Sequence, residues 1–138
     1  MMRVYADVCC DLFHSGHVEF LKTARDLGDY LIVGVLSAEA VQTYKRSPIM
    51  SAKERAAVIS CCRYVDETIV DATLPVDRGF MLKHDIDIVV HAHHPDEDEL
   101  YNKHYLYPIS TGQFVRLDYS AGITTTEIIS RILHRDDL

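Results

Sequence analysis

The chain lacks any apolar run long enough to cross a bilayer; a stretch such as Ile86 to Val90 is short and already broken by Asp87. It also lacks a surplus of positive charge. Its 14 Lys and Arg stand against 21 Asp and Glu, a net charge of −7 with histidine neutral. That balance argues against a nucleic-acid or anionic-membrane surface. An anionic small ligand stays open, because a nucleoside triphosphate needs only a few local cations, oriented N–H groups and a metal ion. Glycine and proline are sparse, at 6 and 4 residues, and no repeat, low-complexity tract or linker divides the chain. One domain over residues 1–138 is therefore expected, long enough to bury roughly two thirds of its unfolded surface. Such a domain can equally be a piece of a longer chain. Cysteine is confined to two adjacent pairs, Cys9-Cys10 and Cys61-Cys62. This is not the framework of a secreted disulfide protein, and it suits a reducing compartment. Both pairs are expected as small apolar filler, one in a core strand and one in a helix. Residues 1–10 carry Arg3 and Asp7 and no long apolar leader segment, so a cytoplasmic location is expected.

What is present is a regular alternation. Arg3 to Cys9, Tyr30 to Leu36, Glu67 to Val70, Ile86 to Val90 and Phe114 to Leu117 read as strands, rich in β-formers or continuously apolar. Between them, Gly16 to Leu27 places Phe20, Leu21, Ala24 and Leu27 at helical spacing and stops at Gly28. Ser51 to Cys62 opens with Ser51 and Glu54 in capping-box register. Pro75 to His84 reads as a helix with proline in its first turn, and Thr124 to Leu133 as a closing helix capped by threonine. Strands alternating with helices at this spacing imply an α/β fold, a Rossmann-like, doubly wound, five-stranded parallel sheet. In such sheets ligands sit beyond the carboxyl ends of the strands, where strand order reverses. The loops after the first and fourth strands are thus the places to search, and both are rich in histidine.

After the first strand comes Asp11-Leu12-Phe13-His14-Ser15-Gly16-His17. Gly16 lets backbone approach a ligand, and the free N–H groups of a helix start attract phosphate. Imidazoles at positions 14 and 17 project from the same turn and can donate to phosphate oxygens. Further segments follow in order: Tyr44-Lys45, Pro48-Ile49-Met50, Glu54-Arg55, then Arg63-Tyr64-Val65-Asp66-Glu67, and last Gly122-Ile123-Thr124-Thr125-Thr126.

HSGH resembles the HxGH signature of the nucleotidyltransferase superfamily. With RYVDE and GITTT in the same order, nearly the whole chain resembles the glycerol-3-phosphate, ethanolamine-phosphate and choline-phosphate cytidylyltransferases. The resemblance implies transfer of CMP from CTP to a small phosphonate or phosphate alcohol with release of pyrophosphate. The acceptor it points to is 2-hydroxyethylphosphonate or ethanolamine phosphate. It assigns His14, His17 and Lys45 to catalysis. Nucleotide binding falls to Cys9, Cys10, Asp11, Gly16, Arg55, Arg63, His91, His93, Gly122, Ile123, Thr124 and Thr125. The acceptor falls to Lys45, His94, Tyr119 and Arg116. Mg²⁺ is the expected cofactor, carried by the CTP phosphates and not by a protein site. Asp66 would orient the nucleotide or support the interface of a two-fold homodimer formed about Arg63 to Glu67.

The chain also departs from the family's pattern. Val8, Cys9 and Cys10 replace small and hydroxylated residues, Tyr119 stands where an arginine is usual, and His91-Ala92-His93-His94-Pro95-Asp96 replaces an acidic pair. A histidine pair could also merely cap a helix, Arg63 and Asp66 could be a structural ion pair, and terminal threonines cap any helix. The rival of another class is a zinc-dependent hydrolase holding metal on His91, His93, His94 and Asp96, with Cys9, Cys10, His14 and His17 as a second conceivable site. That reading leaves RYVDE and GITTT without a role. A third reading, a nucleotide-sensing domain without turnover, is disfavoured by the presence of both histidines and Lys45.

Overall fold

The structure, a computed structural model, describes residues 1–119 and 122–138. Five strands run parallel: β1 (Arg3–Val8), β2 (Tyr30–Leu36), β3 (Glu67–Ala72), β4 (Ile88–Ala92) and β5 (Phe114–Leu117), in the order β3-β2-β1-β4-β5. Seven short helices connect and cover them: α1 (Ser15–Asp26), α2 (Ala38–Gln42), α3 (Ala52–Ile59), α4 (Arg78–Lys83), α5 (Asp98–Tyr101), α6 (Leu106–Ser110) and α7 (Thr125–Leu133). The doubly wound, Rossmann-like reading therefore holds, and strand order reverses between β1 and β4.

Both faces of the sheet are buried, which is why its strands read as continuous apolar runs. Val4, Ala6, Val8, Leu31, Val33 and Val35 pack with Leu21 and Ala24 of α1 and with Ala56 and Ile59 of α3. On the opposite face Tyr5, Ile32 and Val89 pack with Val76, Met81, Tyr101 and Tyr105. Each fully buried aliphatic side chain contributes about 1.5–3 kcal/mol. Gly34 in β2 is dictated by that second face, because the Tyr5 hydroxyl fills the space a Cβ would need. The capping box read from Ser51 and Glu54 forms: Glu54 N–H donates to Ser51 Oγ, and Ser51 N–H to Glu54 Oε1.

Four local readings are corrected. Pro75 lies in the loop before α4, whose N-cap is Asp77 accepting from Phe80 N–H. β4 begins two residues late, since Asp87 is occupied at the sheet's base, its carboxylate accepting from Arg3 N–H at 2.8 Å. Cys61 and Cys62 follow α3 instead of filling it, and Cys61 is exposed. Residues 95–110, to which no strand or helix was assigned, fold into α5, α6 and the 3₁₀ turns Pro95–Glu97 and Asn102–His104.

Candidate active site

A cleft of about 760 Å³ opens above the carboxyl ends of β1 and β4, where the switch point places it. One wall is the turn from β1 into α1. Cys10 and Leu12 both take left-handed backbone conformations, at φ 52° and 51°. Such conformations are costly for non-glycine residues and persist where surrounding structure holds them. They bury Asp11 between them. Its carboxylate accepts from Ile49 N–H at 2.8 Å and Met50 N–H at 3.0 Å, while its carbonyl accepts from the Thr125 hydroxyl at 2.8 Å.

The two histidines cap α1 reciprocally. His14 Nδ1 accepts from Gly16 N–H, and His17 Nδ1 accepts from His14 N–H. Their rings stack with centroids 3.7 Å apart. Because each Nδ1 is an acceptor, each neutral ring carries its proton on Nε2. The Nε2–H of His14 meets Thr125 Oγ1 at 3.3 Å, which fits a hydroxyl already donating to Asp11. His17 lines the cleft, and its own Nε2–H has no partner among the described residues. Burial, with His14 and Lys45 adding to it, pulls the His17 imidazole down to about 3, so it is a neutral donor. Burial lowers His14 as well. A side chain at Gly16 would press on the His14 ring and the Ile123 carbonyl, both 2.9 Å from where its Cβ would stand. Gly16 is thus required by close approach.

The facing wall is Ile123 and Thr124, Thr125 and Thr126 at the start of α7. Thr124 caps the helix by accepting from Glu127 N–H. Gly122 precedes it at φ 131°, a conformation that suits glycine. Lys45 and Arg46 line the cleft from the loop after α2, with Lys45 Nζ 5.7 Å from the Tyr44 ring centroid. The helix-start amides, the Nε2–H groups and these cations make this end suited to polyphosphate.

The far end differs. Asp7 is buried at the carboxyl end of β1, with Oδ1 accepting from the Tyr105 hydroxyl at 2.6 Å. Its Oδ2 has no partner among the described residues. Burial raises the carboxyl to about 7, against a smaller opposite pull from the Tyr105 bond. Tyr44, Tyr101, His91 and Tyr119 line the same end. Burial, Tyr101 and Glu97 push the Tyr119 phenol up. Asp7, Tyr44, Tyr101 and Arg46 were not found from sequence. Asp7 alone had a usable signal, an ionisable residue at the end of an apolar strand facing the switch point.

The cleft gathers His14, His17, Lys45, Cys9, Cys10, Asp11, Gly16, His91, Ile123, Thr124, Thr125 and Tyr119. Other expected site residues stand apart. Arg55 is buried and donates to the carbonyls of Met50, Cys9 and Leu36, so its guanidinium clamps the scaffold and does not line the cleft. Arg63 lies over Tyr64, beside a separate shallow hollow. Asp66 pairs with Arg25 at 3.0 Å and accepts from Leu31 N–H, not with Arg63. Arg116 donates to His93 O and Asp118, and Gly122 shapes the turn into α7 without lining the cleft. His93 is fully buried and His94 is exposed, capping the first 3₁₀ turn. This also removes the zinc reading. His91 and His93 face each other through Nδ1 at 2.8 Å, and His93 Nε2 meets Asp98 at 2.7 Å. Among the described residues no three His, Cys, Asp or Glu side chains are placed to hold an ion.

Residues 5–131 match the family model described as Cytidylyltransferase-like. The chain belongs to the cytidylyltransferase-like family. Among its relatives, ethanolamine-phosphate cytidylyltransferase of Arabidopsis thaliana is 42% identical over 135 residues, covering 94% of this chain and 32% of that protein. Choline-phosphate cytidylyltransferase A of Homo sapiens is 37% identical over 139 residues, covering 99% of this chain and 38% of that protein. The chain therefore spans about a third of the length of these curated relatives. Among solved structures, the lipopolysaccharide core biosynthesis protein of Thermoplasma volcanium superposes with a TM-score of 0.65 at 28% identity, over 89% of this chain and 99% of that one. No helix among the described residues is long and apolar enough to cross a membrane.

Proposed function

We propose that the chain transfers CMP from CTP to a small alkyl phosphate or phosphonate, releasing pyrophosphate, with ethanolamine phosphate the favoured acceptor. The observation that carries the reading is the His14–His17 corner facing the α7 threonines across the cleft. An acceptor oxygen bonds to the α-phosphorus in line as the bond to the β-phosphate oxygen breaks, and pyrophosphate leaves with that electron pair. His17 donates from Nε2 to the α-phosphoryl oxygens as their charge develops, without first needing a proton of its own. Thr124, Thr125 and the first amides of α7 hold the departing pyrophosphate. Lys45 and Arg46 draw the two anions together.

Mg²⁺ would supply charge neutralisation on the β- and γ-phosphates. The side chains fit that arrangement, because the Asp11 carboxylate is taken by two backbone amides and leaves the ion to the nucleotide's own oxygens.

The unpartnered oxygen of Asp7 moves the acceptor toward an amine. A buried carboxylate with one open oxygen gains most from a cation, which ethanolamine phosphate and 2-aminoethylphosphonate carry and 2-hydroxyethylphosphonate does not. The similarity to ethanolamine-phosphate enzymes supports the same choice. Pyrophosphate release decides it, measured with CTP, ATP and GTP against ethanolamine phosphate, 2-aminoethylphosphonate, 2-hydroxyethylphosphonate, choline phosphate and glycerol 3-phosphate. CTP with an amine acceptor is expected to be fastest. Equal rates from ATP would reduce the reading to a nucleotidyltransferase, and a tenfold lead for 2-hydroxyethylphosphonate would overturn the acceptor.

Assembly as a two-fold homodimer is part of the proposal. The hollow lined by Phe13, Val18, Val58, Cys61, Cys62, Arg63 and Tyr64 offers apolar area for it, beside the RYVDE segment. A monomer by light scattering at working concentration would remove it.

A further inference from the structure

The mechanism uses neither His93 nor Asp98, yet His93 is a fully buried histidine with both ring nitrogens engaged. An Asp–His–His chain runs inward from the surface. Asp98 Oδ1 stands 2.7 Å from His93 Nε2, and His93 Nδ1 stands 2.8 Å from His91 Nδ1. His91 then lines the cleft at the Asp7 end. Ala6 pairs with Val90, so Asp7 and His91 follow each other at the carboxyl ends of neighbouring strands.

The proton inventory of this chain has one neutral solution. A carboxylate only accepts, so His93 donates from Nε2. Neutral His93 therefore offers a lone pair at Nδ1, and the contact with His91 requires His91 to donate from Nδ1. His91 Nε2 is left as an acceptor on a residue that lines the cleft. Burial, then His93, His104 and Lys45, holds the His91 imidazole down to about 3, so the ring stays neutral. Tyr101 packs on both rings, with centroids 4.7 Å from His91 and 5.1 Å from His93, and keeps them aligned.

We infer that His93 and Asp98 are positioning residues that lock the tautomer of His91, so that His91 selects acceptors whose head group donates a hydrogen bond. This rests on the acceptor reading above. A primary ammonium offers N–H groups both to His91 Nε2 and to the open oxygen of Asp7. A quaternary ammonium offers none, and its methyl groups would leave the buried Asp7 oxygen and His91 Nε2 without a donor. Such mismatches discriminate strongly, because the penalty falls on the site's own unpaired groups. The chain should therefore prefer ethanolamine phosphate to choline phosphate.

The test combines a spectrum with a ratio. Long-range ¹H–¹⁵N spectra of the intact protein should show His91 protonated on Nδ1. In Asp98→Asn, whose side chain is half exposed in the parent and thus safe for folding, that signature should give way to a tautomer mixture. The kcat/KM ratio of ethanolamine phosphate to choline phosphate should fall about tenfold in Asp98→Asn and in His93→Gln, with the KM for CTP unchanged. Asp98→Glu should restore part of the ratio. An unchanged tautomer and an unchanged ratio in Asp98→Asn would overturn the inference, as would His91 protonated on Nε2 in the parent. If the parent turns over neither acceptor, the functional reading fails, and the spectrum still decides the lock.

Discussion

The two ends of the cleft are built by opposite means. At the polyphosphate end the histidines are set by local bonds, His14 capping onto Gly16 and His17 onto His14 within one turn of chain, and Asp11 and Thr125 then tie that turn to distant segments. At the acceptor end the bonds are long-range. Asp7 and Tyr105 are 98 residues apart, and Tyr44, His91 and Tyr101 come from three further segments. The first end offers donors, the His17 Nε2–H and the cations Lys45 and Arg46, whereas the second offers acceptors, a carboxylate oxygen of Asp7 and a ring nitrogen of His91. A site that must bind a common nucleotide can be written in one motif. Selectivity for a particular acceptor is assembled from the whole fold.

The largest expected effect lies at the local end. His17→Ala should cut turnover about a hundred- to a thousandfold, or about 3–4 kcal/mol in the barrier, while calorimetric CTP affinity falls far less. Near-normal turnover would end the assignment. Next comes a residue serving both ends through the scaffold. Arg55→Ala orphans three carbonyls and should lower unfolding stability by about 3 kcal/mol, read by denaturant midpoint. Arg63→Ala should leave that midpoint nearly unmoved.

At the long-range end, Asp7→Asn keeps a partner for Tyr105 but loses the charge. It should raise KM for an amine acceptor about tenfold or more, with KM for CTP steady, as expected for a charged hydrogen bond of about 1.5–3 kcal/mol. The pH dependence carries opposite signs for folding and binding. The folded carboxyl holds its proton up to about 7, against 3.8 for a free one. Its contribution to stability is therefore complete below about 4 and disappears as pH rises toward 7. Binding a cationic head needs the ionised form, so acceptor KM should fall as pH rises through about 7, a slope Asp7→Asn should flatten. The smallest effect is Thr125→Val, which removes the bonds to Asp11 and His14 and should cost about 1 kcal/mol in thermal stability.

The parallel sheet, the two loops at its carboxyl end and the histidine corner were legible because each follows from a pattern read along the chain. Arg55 and Arg63 show where legibility stops. Both sit in recognisable motifs, yet one guanidinium is walled in by carbonyls and the other lies outside the cleft, a difference fixed only when α3 meets the sheet. His93 taught the same lesson. Its neighbours in sequence suggested a metal cluster, whereas in the fold its Nε2 is taken by Asp98 and its Nδ1 by His91.

Asp11 ties three parts of the cleft to one post. Its side chain holds the 49–50 loop, its carbonyl holds Thr125, and its own backbone leads into the histidine turn. Neither wall can swing outward alone without tearing one of those bonds, so in the proposed reaction admission of a nucleotide and escape of pyrophosphate would share a single latch. Amide hydrogen exchange at Ile49 and Met50 therefore becomes a clock for the opening of the opposite wall.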